Sequence, residues 1–323
     1  MSHFTVLVVG DDVEKQLAPF QENNMGDCPG EYMEFNEVEA EYRNDYENES
    51  IEMVQAPNGE RFYSWDQQFK VGGFFDQKTV IPDGYEKVMV AHKDRFASFE
   101  EFMSEWHGSE ERDPEMGVYG YWANPQAKWD WFQVGGRWTG FFKMKPETEG
   151  GVGKPGILAS PAEKGYADQA YKKDIDFAGM RDEAGEKAGK TYDKMLAVIG
   201  DHLEDFIPLG KMRDEVCGGN IDLAREKYHA QPAKKALQTA EDTDLRWNNI
   251  EDFLCTREEY VEKAQAKAIS TFAVLMDGKW YEKGEMGWWA CVSNEKADWS
   301  EEFGKLLDGI SDETLLTVVD CHI

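Results

Sequence analysis

HFTVLVV, His3 to Val9, and LLTVVDCHI, Leu315 to Ile323, stand at opposite ends of a 323-residue chain. Both are β-branched, short and bounded by Asp or Gly, the pattern of strands. The closing stretch is expected to lie in a sheet beside the opening one. A third apolar run, Ser270 to Met276 (STFAVLM), leads into Asp277-Gly278, a hairpin signal, and then into Lys279–Glu282. Asp298 with Glu301 opens a helix whose buried face is Phe303, Leu306, Leu307 and Ile310. The expected fold class is therefore α+β. A mixed, mostly antiparallel sheet is built from both chain ends, with an inserted helical subdomain.

Working inward, Asp11 and Asp12 end the first strand, and a short helix is expected from Val13 to Phe20. Glu22 to Glu60 holds twelve acids and one base, Arg43, with Tyr32, Phe35, Tyr42 and Tyr46 interleaved and no clear period. A β-rich region follows, with turns at Asn58-Gly59, Gly72-Gly73 and Asp83-Gly84. Ser98 and Glu101 match a capping box ahead of Phe99, Phe102, Met103 and Trp106, one apolar helical face closed by Gly108. Gly117 to Lys145 is aromatic and reads as β. Four regions result: an acidic β-rich region at 1–146, a Gly/Pro-rich linker at 147–160, a helical insert at 161–269, and a strand–helix–strand at 270–323 that completes the β-rich body. Within the insert, Thr256 with Glu259 forms a second capping box.

Sixty-four acids against 35 bases give a formal charge of −29, while 41% hydrophobic content and 11 Trp suffice for a packed core. Such charge repels nucleic acid, whose binding needs clustered Lys and Arg, and favours a basic protein partner. The opening residues have no basic leader, and no apolar run reaches the ~18 residues of a membrane span. A cytoplasmic protein without a membrane contact is expected. Five scattered cysteines, Cys28, Cys217, Cys255, Cys291 and Cys321, read as reduced thiols. The sharper reading makes Cys291, with Trp288 and Trp289, a contact between two copies of the chain.

No GxSxG elbow, P-loop, dinucleotide fingerprint, HExxH or zinc spacing occurs, so neither a catalytic residue nor a cofactor or metal is assigned. The pairs Gly72-Gly73 and Gly135-Gly136 read as tight turns or bulges. His3 and His322 meet if the terminal strands pair, with Asp320 nearby. The ordinary reading is two unrelated strand-end histidines. The tryptophans Trp122, Trp129, Trp131, Trp138, Trp280, Trp288, Trp289 and Trp299 are either core or, in part, anchors of an interface. Echoes between His3–Leu7 and Thr271–Leu275, and between Asp66–Gly73 and Asp130–Gly136, fit either an old duplication or coincidence. The acidic stretch is either a solvated loop or a negative surface that sits on a basic groove. For the second reading Glu31, Glu34, Glu37, Glu39 and Glu41 are the candidate contacts.

The opening SHFTVLVVGDD, the block NPQAKWDWFQVGGRW (Asn124–Trp138) and the end GEMGWWACVSNEK with LLTVVDCHI resemble a group of phage-encoded proteins. Some of these are similar to the phage inhibitor of the bacterial Gabija defence system. The resemblance covers both ends and the middle block, and carries over no active-site residue. It implies a non-enzymatic homo-oligomer in the host cytoplasm that wraps a nuclease–helicase complex and stops it from binding and cutting DNA. Two other readings stand beside it: an acidic DNA mimic aimed at another basic host protein, and a small-molecule hydrolase or sequestering protein with a Trp-lined pocket.

Overall fold

A computed structural model describes residues 2–73, 77–109, 111–146, 148, 165–287 and 291–323. The expected linker at 147–160 lies, but for Thr148, outside the described residues. The chain divides into two compact units, one formed by the residues up to Gln21 with Lys128–Ile323, the other by Glu22–Ala127. The block expected at 1–146 is thus shared between them.

In the first unit the terminal strands do pair. His3–Val9 runs antiparallel to Leu315–His322 over seven residue pairs, from His3↔His322 to Val9↔Leu316. On its other side His3–Val9 pairs in parallel with Ala273–Met276, which turns through Asp277 (φ 52°) and Gly278 (φ 70°) into Lys279–Glu282. Two successive positive φ values make the turn whose twist matches a hairpin. Leu315–His322 also carries Gln169–Tyr171 and Trp131–Val134 on its outer edge. The sheet is mixed, mostly antiparallel and built from both chain ends.

Both faces of this sheet are covered, which is why its central strands carry apolar residues on both faces rather than alternating. Phe4, Val6, Val8, Ala273, Leu275, Val319 and Cys321 pack with Leu17, Phe20 and Trp129 on one face. Leu7, Val274, Leu316 and Val318 pack on the other against Trp299, Phe303 and Leu307 of the helix Trp299–Asp308. Val6, Val8, Leu275, Leu316, Val318 and Val319 have no exposed surface. Each contributes about 1.5–3 kcal/mol relative to exposure. Among the described residues no helix is long and apolar enough to cross a membrane.

The helical insert is led by Phe177–Ile199, capped by Asp176, whose carboxylate accepts from the Gly179 amide at 2.9 Å. Gly185 and Gly189 lie against the Gln265 and Arg257 side chains of helix Arg257–Lys267, at positions a methyl group would crowd. Tyr192, Met195, Ile199, Phe206, Tyr228, Leu237, Ile250 and Phe253 form its own core. Residues 161–164 lie outside the described residues, and the described part of the expected insert opens with strands, not helix. Tyr166–Ala167 and Gln169–Tyr171 are strands, and the second serves as an edge of the main sheet. The chain leaves this unit after Gln21 and re-enters at Lys128 beside it, since the Lys128 amide donates to Phe20 O at 2.8 Å and Gln21 pairs with Trp129.

The second unit has a three-stranded sheet, Arg61–Tyr63, Ser50–Gln55 and Glu86–Ala91, with helices Glu39–Asn48 and Phe99–His107. The expected Ser98 cap is present, its Oγ accepting from the Glu101 amide at 3.1 Å, and Gly108 stops the helix at φ 68°. The core is Phe96, Phe99, Phe102, Met103 and Tyr119, with Val38, Tyr42 and Tyr46 packed on it. Two histidines share this apolar interior. His92 is 6% exposed among Phe96, Phe102 and Trp106, and its Nδ1 has no partner. His107 stacks on Tyr42 at 3.7 Å, and its Nε2 has none either.

Burial lowers the pKa of both histidines, more than Asp45, Glu49 and Glu41 raise it, and His92 further disfavours a charge on His107. Because their folded pKa is depressed, the unfolded chain takes up protons that the folded unit refuses. Stability is therefore full above the ordinary histidine value of about 6.5 and falls as pH drops through it. Hydrogen-exchange protection of Phe99–His107, corrected for intrinsic rates, is expected to fall between pH 7.5 and 5.5. His92→Phe is expected to flatten that dependence. Protection that does not change with pH would contradict the account.

Candidate functional site

From Glu34 on, most of the acidic stretch forms secondary structure, and before it only Gly30–Tyr32 makes a helical turn. Glu34–Glu37 is a strand, Glu39–Asn48 a helix and Ser50–Gln55 a strand. Val38, Tyr42 and Tyr46 recur every fourth residue and turn toward the aromatic core, which leaves Glu41 between them facing outward. Glu31, Glu34, Glu37 and Glu41 are exposed, and none makes an ion pair with a described residue. Their charge is uncompensated by any basic side chain among the described residues.

Glu39, the fifth expected contact, is used inside the unit instead. Its carboxylate is 15% exposed and accepts from Arg112 Nε at 3.0 Å, from Arg112 Nη2 at 3.1 Å, from Arg43 at 2.8 Å and from the Tyr119 amide at 3.2 Å. Arg43 lies over the Phe99 ring at 4.0 Å and Arg112 over Tyr119 at 4.6 Å. Donation from Arg112, then from Arg43, holds the Glu39 carboxyl down at about 2. One carboxylate thus ties the acidic helix to the loop at Arg112 and to the residue before the strand Gly120–Ala123. The sequence signal was Arg43, the lone base of the stretch, four residues after Glu39.

Glu34–Glu37 pairs with Gly120–Ala123 as an isolated two-stranded ribbon, with Phe35 opposite Trp122 and Asn36 opposite Tyr121. No ribbon residue is fully buried, on either face. Of the tryptophans singled out from sequence, Trp129 and Trp299 are core, their indole N–H groups donating to Leu17 O and Thr271 O. Trp131, Trp138 and Trp280 are half-buried, and Trp122 is exposed. Trp288 and Trp289 lie outside the described residues. Cys291 is an exposed free thiol.

The terminal histidines meet, as the pairing of the strands requires. His3 Nδ1 lies 2.8 Å from Asp320 Oδ1 and His322 Nδ1 2.7 Å from Asp130 Oδ1, with the two rings 4.9 Å apart and Trp131 stacked on His322 at 5.1 Å. His3, His322 and Asp320 share one face of the sheet. Asp320 is 2% exposed and also accepts from the Arg137 amide at 2.9 Å. Asp168, equally buried, accepts from Thr139 Oγ1 and the Gly140 amide. The loop Gly135–Gly140 therefore wraps two buried carboxylates with backbone N–H groups, which satisfies charges that burial would otherwise penalise. Gly135 (φ 71°) and Gly136 (φ 52°) are required there, because a Cβ would enter the Asp168 and Asp320 carboxylates respectively. Among the described residues no group of three His, Cys, Asp or Glu is arranged to hold a metal ion. A cavity of about 600 Å³ beside the helix Phe177–Ile199 has Lys187, Lys190, Lys194, Asp242 and Asp244 in its wall and no aromatic ring.

Comparison with protein-family models, with curated proteins and with solved structures finds no match to the chain.

Two substitutions test these assignments. Glu39→Gln is expected to lower stability by roughly 2 kcal/mol in urea unfolding, since two guanidinium groups lose their shared acceptor. Glu41→Gln, on the exposed side of the same helix, is expected to change it by less than about 0.5 kcal/mol. Gly136→Ala is expected to cost at least about 2 kcal/mol, from strain plus displacement of Asp320. Gly219→Ala has open space around it and bears only the positive-φ strain, about 1 kcal/mol. Equal losses at the two glycines would remove the wrapped-carboxylate account.

Proposed function

We propose that this chain is a phage-encoded, non-enzymatic binding protein that covers the basic DNA-handling surface of a bacterial defence complex, with Gabija the leading target. It acts in the host cytoplasm and keeps the complex from binding and cutting DNA. The observation that carries this reading is the set of exposed carboxylates at Glu31, Glu34, Glu37 and Glu41, which lack basic partners among the described residues and stand on a turn, a paired strand and a helix of one unit. A surface charge left uncompensated on a rigid support is complementary to a groove lined with Lys and Arg, which ordinarily holds a phosphate backbone. A formal charge of −29 adds a long-range field that steers the chain toward a cationic partner and away from nucleic acid itself.

Rigidity matters as much as sign. Charges fixed before contact lose less conformational entropy on binding than those on a free loop. The Glu39 clamp supplies this rigidity, and for that reason Glu39 does not belong to the contact set.

The test uses a purified nuclease–helicase complex of the Gabija type, a labelled duplex and this protein. Inhibition of duplex binding and cleavage is expected, weakening as salt rises and shortens the ~8 Å screening length found at physiological ionic strength. The variant with Glu31, Glu34, Glu37 and Glu41 all changed to Lys is expected to inhibit at least tenfold less well, with its circular dichroism unchanged. Full inhibition by that variant would sink the reading.

A further inference from the structure

The ribbon Glu34–Glu37/Gly120–Ala123 breaks the rule that a strand pair buries at least one face. An isolated two-stranded ribbon is marginal in water, and neither strand here contributes a residue to the apolar cores. Its two faces nonetheless carry large rings. Tyr121 is 58% exposed on one and Trp122 36% exposed on the other. Trp122 is held in place twice, by the Phe35 ring at 5.4 Å and by donation from its indole N–H to Asp113 Oδ2 at 2.9 Å. A carboxylate acceptor at the indole N–H pushes electron density into the ring, which strengthens its attraction for a cation over the open face. Gly120 lets the Phe35 ring and the Asn36 backbone close over it, at a distance that any side chain would prevent. Glu34 and Glu37 stand at the two ends of the same strand, both exposed and without an ion pair among the described residues.

Rings beside carboxylates, exposed on both faces of a narrow ribbon, match one kind of occupant by shape and charge. We infer that the ribbon is the element that reads arginine. It takes up guanidinium groups from a basic, nucleic-acid-binding protein surface, stacking them on Trp122 and Tyr121 while Glu34 and Glu37 neutralise their charge. Arginine is favoured over lysine because its planar, weakly hydrated head stacks on an aromatic face and still presents N–H donors at its edge to a carboxylate. The inference rests on the proposal that the exposed carboxylates meet a basic protein, and adds which residues recognise it and which cation they prefer.

The test compares fluorescein-labelled nona-arginine and nona-lysine, two probes of equal charge, by anisotropy at physiological salt. The wild-type protein is expected to bind nona-arginine about tenfold more tightly, the combined effect of two cation–π contacts. Tyr121→Ala with Trp122→Ala is expected to abolish that preference while retaining most of the charge-driven binding. Trp247→Ala, which removes a ring 90% exposed elsewhere, is expected to leave the preference intact. Tyr121→Ala alone, at a position without a packing role, is expected to reduce the preference about threefold and guards against loss of the ribbon in the double variant. If the double variant keeps the full preference, or if Trp247→Ala erases it, the ribbon inference is overturned. If the four-site Glu→Lys variant binds both peptides as tightly as wild type, the charge reading beneath it fails instead.

Discussion

The structure depends on the antiparallel register between His3–Val9 and Leu315–His322. Both strands are buried on both faces, so hydrophobicity alone specifies their register only weakly. A slip of one residue would exchange Leu7 for Val6 and Val8 across the sheet at little apolar cost. The polar end of the pair removes that freedom. In the observed register Asp320 meets His3 and the Arg137 amide, while His322 meets Asp130. Slipped by one, Asp320 would turn into the apolar face beside Phe4 and leave a buried carboxylate unpaired. Burial also pushes the Cys321 thiol well up, so the residue between Asp320 and His322 behaves as a small apolar side chain.

Much of this was legible in the residues. The terminal strands, the Asp277-Gly278 turn, the Ser98 and Thr256 caps and the apolar face at Phe303 and Leu307 each rest on a local signal that packing reinforces. Glu39–Asn48 was not legible because a helix mostly open to solvent shows only a thin stripe, and the stripe here is two tyrosines and a valine amid charge. Gln169–Tyr171 was missed because three residues at a sheet edge carry no period, and their pairing is set by a strand more than 140 residues away. Gly135-Gly136 was readable as a turn. What the turn encloses was not, since Asp168 and Asp320 arrive from elsewhere in the chain.

The candidate site divides in the same way. Composition gives the surplus of carboxylates, but it does not say which acids are spent within the fold. Glu39 and Glu41 are two residues apart in one helix, yet one is the clamp of the unit and the other faces solvent. Tyr121 and Trp122 sit in an aromatic block whose other members, such as Trp129, are core, and only the pairing with Asn36 and Phe35 separates them. Which acids are paired and which rings stay exposed is set by contacts between distant residues, which only tertiary structure reveals.

The order of the strands also has a consequence for synthesis. Both neighbours of His3–Val9 in the sheet, Ala273–Met276 and Leu315–His322, lie more than 260 residues further along the chain. On the ribosome, HFTVLVV emerges before either partner and waits, unpaired and apolar, until both have been translated. Such a segment has the composition of an aggregation-prone strand. The second unit, Glu22–Ala127, is translated in full in the meantime. Nascent chains of this protein would therefore pass through a long interval with the acidic unit complete and the central sheet still open, a stage at which a chaperone has most to protect.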